Sequence, residues 1–171
     1  MQINQRALKL AARTIKILVL SALTVMTCSL FLWAGTTEAV PYPTGFLKWT
    51  HIKKESMPAQ DSEGKTVSYY IYANEKAVEG YRNKQFADGS VIVSDFFDTK
   101  ETDGVSAETS RLRVAVMVKD NKRYAKTGGW GFEQFKGDSQ TESTFKTADG
   151  AANCYACHSK EPSGVFTTFS K

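Results

Sequence analysis

Side chains that bind transition metals are scarce in this chain, which has two histidines, three cysteines and four methionines in 171 residues. After residue 39, only His51, Cys154, Cys157 and His158 are available as histidine or cysteine ligands. A structural zinc site usually needs four such ligands, so zinc would require all four to converge. The sequence also lacks internal repeats and low-complexity linkers, which argues against a repeat architecture.

Two of the cysteines belong to the motif Cys154-Tyr155-Ala156-Cys157-His158. Cys-x-x-Cys-His is the attachment motif of a c-type haem: the thiols bond to the haem vinyl groups and the histidine becomes the proximal iron ligand. One covalent haem per chain is therefore predicted. A dithiol redox pair is the alternative, but such pairs usually lie near a βαβ unit, and no such pattern precedes Cys154. No methionine follows His158 to supply a sixth iron ligand.

The neighbours of the motif favour a short helix. Asp149 is the predicted N-cap, and the alanines that follow are good helix formers. On a helix, Cys154 and Cys157 are three residues apart and lie on one face, so both thiols can reach one edge of a porphyrin.

The N-terminus has the layout of a secretory signal peptide. Four basic residues precede an apolar run over residues 17–34, and small residues follow at Thr37 and Ala39. This predicts a signal peptide over residues 1–39, a single haem-binding domain over residues 40–171, and export to the periplasm. The apolar run is long enough that an uncleaved membrane anchor is the alternative. Cys28 lies in the run and is expected to leave with the signal.

The basic character of the chain belongs mainly to this N-terminal segment. Removing residues 1–39 takes away four basic residues and one acidic residue and lowers the formal net charge from +4 to +1. A nearly neutral domain gives no reason to expect a nucleic-acid partner.

The remaining pattern predicts an α+β fold, mostly antiparallel β-sheet with an internal helix and a C-terminal haem-attachment helix. Strands are predicted by β-branched, aromatic or alternating residues over 66–72, 90–97, 112–118 and 130–135, and a last short strand over 165–169. Asn74 is the predicted cap of the internal helix, and residues 57–65 and 99–110 are predicted loops. In the alternating strand, Leu112 is expected to share a face with Val114, and Arg113 with Ala115.

Six segments besides the haem motif carry a family resemblance. In order and spacing they cover most of the domain: Gly45–Trp49, Tyr70–Tyr72, Phe86–Val93, Val118–Tyr124, Gly129–Phe132 and Val165–Phe169. With these segments the chain resembles the cytochrome P-460 family, which includes the cytochromes c′-beta. The resemblance implies a periplasmic, homodimeric, mono-haem protein, rich in β-sheet, with a proximal histidine and an open or easily vacated distal side.

The family divides by the residues around the haem. The resemblance implies that one branch oxidises hydroxylamine, with a lysine cross-linked to the porphyrin and a distal carboxylate that accepts protons. The c′-beta branch lacks the cross-link and binds nitric oxide in an apolar distal pocket. In this sequence Ser94 stands at the position of the lysine and Ala115 at that of the carboxylate. A hydroxyl has little of the nucleophilicity of an amine, and Lys100 is roughly 20 Å further along the strand.

Strand parity extends this expectation to a distal wall. If Ser94 faces the haem, then Ile92 and Phe96 share its face, and Arg113 lies on the face of Ala115. Ile92 and Phe96 are equally interpretable as ordinary core residues. Arg113 is a candidate partner of a haem propionate or of a bound ligand, or else a solvated rim charge. If another residue serves as the distal base, the candidates are Glu108, Asp95 and Asp98.

Three functional hypotheses follow. The first is a haem c protein that binds nitric oxide or a related small nitrogen species at an open iron. The second is a hydroxylamine-oxidising enzyme that uses another base. The third is an electron-transfer cytochrome with Met117 or His51 as sixth ligand. A periplasmic electron-transfer cytochrome is the expected redox partner.

Overall fold

A five-stranded antiparallel sheet organises the computed structural model, which describes residues 39–59, 65–147 and 149–169. The strands follow one another in the sheet in chain order. Their bounds are β1 Thr50–Pro58, β2 Thr66–Ala73, β3 Val91–Thr102, β4 Val105–Lys119 and β5 Trp130–Lys136. The predicted signal peptide covers residues 1–39, and of these all but Ala39 lie outside the described residues, as does the apolar run of the alternative membrane anchor. Within the described ranges, no helix has the length and apolarity needed to cross a membrane.

Two α-helices accompany the sheet, α1 over Glu75–Asn83 and α2 over Gly150–His158. Asn74 caps α1 as predicted, because its side-chain oxygen accepts a hydrogen bond from the Ala77 N–H at 2.9 Å. The predicted α+β class, with an antiparallel sheet, an internal helix and a C-terminal helix, is confirmed.

The two faces of the sheet carry separate apolar clusters. Both helices pack on the face that bears Ile71, Ile92 and Phe132, which we call the helix face. The opposite face bears Val93, Val114 and Val116 and is covered by the segment before β1, including Val40 and Phe46. The alternation of side chains along each strand therefore decides which residues can approach α2.

The predicted loop over residues 99–110 is wrong, because β3 and β4 form one long hairpin that turns at Asp103-Gly104. Both turn residues have positive φ, 54° and 76°, as a two-residue hairpin turn of the primed type requires. The Asp103-Gly104 turn thus indicates the hairpin correctly, whereas the polar composition of the flanking residues indicated a loop.

Three further expectations fail. Strand β1 was not among the predicted strands, although it pairs with β2 along nearly its whole length. The segment Val165–Phe169 has no regular secondary structure, so the predicted last strand is wrong. Asp149 precedes α2 as expected, but its side chain makes no capping hydrogen bond.

Candidate functional site

Helix α2 carries the Cys-x-x-Cys-His motif in its second half and packs against β5. Its inner residues Ala151, Cys154 and Tyr155 contact the apolar cluster of the helix face. Tyr155 lies over Gly128, where a Cβ atom would be 3.1 Å from the tyrosine ring. The motif is therefore held by tight packing at one end of the sheet.

The two cysteine thiols of the motif have different environments, since Cys154 is half-buried and Cys157 is exposed. Burial raises the pKa of the Cys154 thiol, and the nearby Cys157 and Glu133 add to this, while Arg113 opposes it. Reactive dithiols in redox enzymes have a lowered thiol pKa and often a helix N-terminus beside them. Cys154 has neither property, which disfavours the dithiol alternative and fits a thiol that serves as an attachment point.

His158, the last residue of α2, has one ring nitrogen already engaged. Its Nδ1 lies 2.7 Å from the carbonyl oxygen of Gly164. A carbonyl only accepts hydrogen bonds, so Nδ1 carries the proton and Nε2 is left with a free lone pair. Orientation of this kind by a backbone carbonyl is typical of metal-ligating histidines. The rings of Phe132 and Phe166 flank the imidazole, with centroids at 5.2 and 4.8 Å.

The Gly164 carbonyl is itself held in place by β5. The indole N–H of Trp130 donates to the Ser163 carbonyl at 3.0 Å, which anchors the loop after α2. Gly164 has φ +74°, and a Cβ atom there would be 2.7 Å from the indole Nε1. Only glycine satisfies both the backbone conformation and the close approach of Trp130.

We expect Gly164→Ala to destabilise the protein and to disturb His158. The left-handed backbone costs an alanine about 1–2 kcal/mol, and the contact with Trp130 adds roughly 1–3 kcal/mol. Gly104→Ala is the matched control, because Gly104 has φ +76° but open space around its missing Cβ. Denaturant unfolding should show the larger loss in Gly164→Ala, and only this variant should shift the reduction potential of the haem-loaded protein. Equal effects of the two substitutions would contradict the role of the loop.

The predicted distal-wall residues lie together on the helix face of the sheet. Ser94 pairs with Ile71 on one side and with Ala115 on the other. On the same face of β3, Ile92 is the neighbour of Ser94 on the side nearer to Phe132 and His158. Phe96 is the neighbour of Ser94 on the far side. Strand parity therefore predicted correctly that five residues share one face of the sheet, while their role as a distal wall stays a prediction: Ile92, Ser94, Phe96, Arg113 and Ala115.

Arg113 lies on this face as strand parity predicted, and it is partly buried, which disfavours the alternative of a solvated rim charge. Its guanidinium carbon lies 4.0 Å from the centroid of the Phe96 ring, and Phe96 in turn stacks on Tyr69 at 4.9 Å. Burial lowers the pKa of Arg113, with a smaller opposing effect from Cys154. The buried Nε atom has no hydrogen-bond partner among the described residues. An unsatisfied donor of this kind indicates a missing acceptor.

Two of the three fallback bases face away from α2. Asp95 is buried on the opposite face and forms two hydrogen bonds with Arg111, at 2.7 and 3.0 Å. Glu108 accepts hydrogen bonds from Ser68 and Tyr70, which also point to the opposite face. As distal bases these two residues are wrong, because β-strand alternation sends their side chains through the sheet. Asp98 does lie on the helix face, where it lines a cavity together with Arg113.

The candidate sixth ligands separate in the same way. His51 is exposed and packs near Tyr70 and Tyr72 on the opposite face, so it lies far from His158 and shares no site with the two cysteines. Met117 is on the helix face, but it pairs directly with Phe132, the residue whose ring contacts His158. It thus lies beside the candidate proximal ligand. Lys100 is exposed in the outer part of the β3–β4 hairpin.

A carboxylate on the helix face was missed from the sequence. Glu55 in β1 accepts a 2.5 Å hydrogen bond from the Tyr69 hydroxyl. Burial, followed by this hydrogen bond, raises the pKa of Tyr69 to about 12. Recognising β1 as a strand would have placed Glu55 opposite Tyr69 and revealed the pair.

Comparison with protein families gives one match. The model of the family described as cytochrome P460 matches residues 43–167, which is most of the chain. No curated protein matches the sequence. The matched region contains all five strands, both helices and every candidate site residue described above.

Proposed function

The chain belongs to the cytochrome P460 family, a family of haem cytochromes, and from this premise we propose that it is an exported c-type haem protein that binds nitric oxide or a related small nitrogen species. The observation that carries the proposal is the geometry of His158. This residue ends a helix bearing two suitably spaced thiols, and its Nδ1–H···O=C bond leaves Nε2 free for iron.

The residues present fit a covalently held haem. Cys154 and Cys157 are the attachment points for one haem per chain, and His158 is the proximal ligand. When bound, the haem supplies an iron that can take up diatomic ligands. The chain contributes the anchored imidazole and the aromatic rings of Phe132 and Phe166 around it.

The helix face favours ligand binding over oxidation chemistry. The side chains at the two positions that distinguish the oxidising branch are a hydroxyl, Ser94, and a methyl, Ala115, and neither takes up a proton near neutral pH. Their cross-strand neighbour Ile71 is buried and apolar. This part of the face therefore suits an uncharged diatomic ligand.

Mixing the ferrous, haem-loaded protein with nitric oxide in a stopped-flow spectrometer tests the proposal. Before mixing, we expect a high-spin c-type spectrum, because the iron would have no sixth protein ligand. The Soret band should lie at the ordinary position, because Ser94 is too weak a nucleophile to cross-link the porphyrin. On mixing, we expect a rapid spectral change. A ferrous protein that does not bind nitric oxide would refute the proposed function. A strongly red-shifted Soret band would refute the absence of a cross-link.

Oxidation of hydroxylamine is the second candidate, favoured by the hydrogen-bonded pair Glu55 and Tyr69 on the helix face. A carboxylate beside the stacked rings of Tyr69 and Phe96 can accept a proton, but the bonds from Lys53 and then Tyr69 lower the pKa of Glu55 and make it a weak base. Turnover of hydroxylamine with an artificial electron acceptor distinguishes this candidate from ligand binding alone. Glu55→Gln would abolish such turnover if the pair were the base.

The proposal extends to location and partners. Export to the periplasm is supported by the N-terminal sequence, since c-type haem is attached on the far side of a bacterial inner membrane. A homodimer and a periplasmic electron-transfer cytochrome as redox partner are supported by the family resemblance. Phe166, half exposed beside the His158 ring, offers an apolar contact for such a partner.

A further inference from the structure

Arg113 holds a partly buried positive charge on the helix face, and the nearest acidic residue lining the same cavity, Asp98, forms no ion pair with it. No carboxylate of the described residues forms an ion pair with it, and its Nε donor is unsatisfied. The guanidinium is kept in place by the face of Phe96, a contact that stabilises the cation without consuming its N–H donors. A fixed, half-dehydrated cation with free donors is a suitable receptor for an anion.

A cavity of about 410 Å³ adjoins Arg113 on the same face. Its charged lining residues are Arg113, Lys65 and Asp98, which leaves one net positive charge. Gln134 also lines the cavity, and its carbonyl oxygen already accepts a hydrogen bond from the Thr144 hydroxyl at 3.1 Å. The cavity therefore offers a hydrogen-bond donor as well as positive charge, and its volume is ample for a molecule of three or four atoms.

The position of Arg113 relative to Cys154 bears on which anion the guanidinium would bind, a haem propionate or a ligand from solution. Arg113 and Cys154 share the helix face, and the charge of Arg113 lowers the pKa of the Cys154 thiol against the larger effect of burial, so the guanidinium is on the side of the residue that would bond to a haem vinyl group. Haem carries its propionates on the edge opposite to its vinyl groups, which makes a propionate a poor partner. Along β4, Arg113 is also about 13 Å beyond Met117 and the His158 end of the sheet. Arg113 therefore lies opposite Phe96, on the part of the helix face that is predicted to form the distal wall.

We propose that Arg113 and the adjoining cavity form a binding site for a small monovalent anion, of which nitrite is the probe, on the distal side of the haem. This inference rests on the proposed attachment of haem at Cys154, Cys157 and His158. It extends the ligand class from uncharged diatomic molecules to anions, and Arg113 is the residue that determines this specificity.

Optical titration of the ferric, haem-loaded protein with nitrite tests the site. We expect Arg113→Met to weaken nitrite binding by about 10- to 100-fold, because the variant loses charge-assisted hydrogen bonds. Binding of carbon monoxide to the ferrous variant should stay within about 2-fold, since an uncharged ligand has little need of the cation. Lys136→Met is the matched control: Lys136 pairs with Arg113 across β4 and β5, but it is exposed and bonded to Glu142.

The outcomes are distinct. A wild-type protein that binds nitric oxide but not nitrite, or an Arg113→Met variant with wild-type nitrite affinity, overturns the anion site and leaves the proposed function intact. A shift in reduction potential with equal losses for nitrite and carbon monoxide also overturns it, because that pattern indicates a propionate partner. If Arg113→Met does not load haem, Arg113→Lys decides: it keeps the charge but loses the planar fork, so nitrite affinity should fall about 3- to 10-fold while carbon monoxide binding persists.

Discussion

Replacing both Cys154 and Cys157 with serine is expected to abolish covalent haem, so that no haem stain stays with the protein after denaturing electrophoresis. A serine hydroxyl is far less nucleophilic than a thiol and does not add to the haem vinyl groups under the same conditions. The variant should be produced in a bacterium that matures c-type haem in its periplasm. Because both residues lie in the last turns of α2, which is held by packing of Ala151 and Tyr155, the helix itself should persist.

Cys28→Ser is the control for this experiment, since it removes the third cysteine without touching the motif. It should retain full haem stain, because Cys28 is predicted to leave with the signal peptide. Haem that stays bound in the double serine variant would mean that another side chain forms the covalent link. Loss of stain in Cys28→Ser would mean that the N-terminal segment takes part in maturation or attachment.

The sequence was sufficient to predict which residues lie on the helix face because β3 is regular where it matters. From Val91 to Phe96 the strand pairs with β4 without interruption, so alternation alone places Ile92, Ser94 and Phe96 together. The same reasoning fails beyond Phe96. Register shifts follow at Phe96/Phe97 and Phe97/Thr99, and they leave Leu112 as an extra residue between Arg111 and Arg113. The prediction that Leu112 shares a face with Val114 is consequently wrong, because Leu112 lines the cavity next to Arg113.

The hydrogen bonding and burial of the site residues could not be predicted from the sequence, because they depend on residues distant from them in the chain. The carbonyl that orients His158 comes from Gly164, six residues further along a loop without regular structure, and no periodicity predicts such a contact. The free donor of Arg113 is likewise a property of its surroundings. Strand alternation predicts the face of the sheet on which Arg113 lies. Only the structure shows that Phe96 packs on its guanidinium and that its Nε has no acceptor among the described residues.

Arg111 and Asp95 on the opposite face should have the largest effect on stability. Asp95 is only 1% exposed, and the Arg111 guanidinium binds both of its carboxylate oxygens. We expect Arg111→Met to lower the free energy of unfolding by about 3–5 kcal/mol, because it leaves a buried carboxylate without its partner. Denaturant unfolding of the haem-loaded protein, followed by circular dichroism, measures this loss. Arg111 also forms an ion pair with Asp138, but Asp138 is exposed, so the loss of this second pair should add little to the change in stability.

The double variant Asp95→Leu with Arg111→Met separates the buried charge from other contributions of the arginine. Apolar residues that replace both members of a buried ion pair are often neutral or stabilising, so the double variant should recover most of the stability that Arg111→Met loses. Lys136→Met breaks the exposed pair with Glu142 and should leave the unfolding curve unchanged. A double variant as unstable as Arg111→Met would instead assign the loss to the packing of Arg111 over the Phe97 ring, 5.3 Å from its centroid. In either case nitrite and nitric oxide binding should be unaffected in the folded protein, because this pair lies across the sheet from α2 and Arg113.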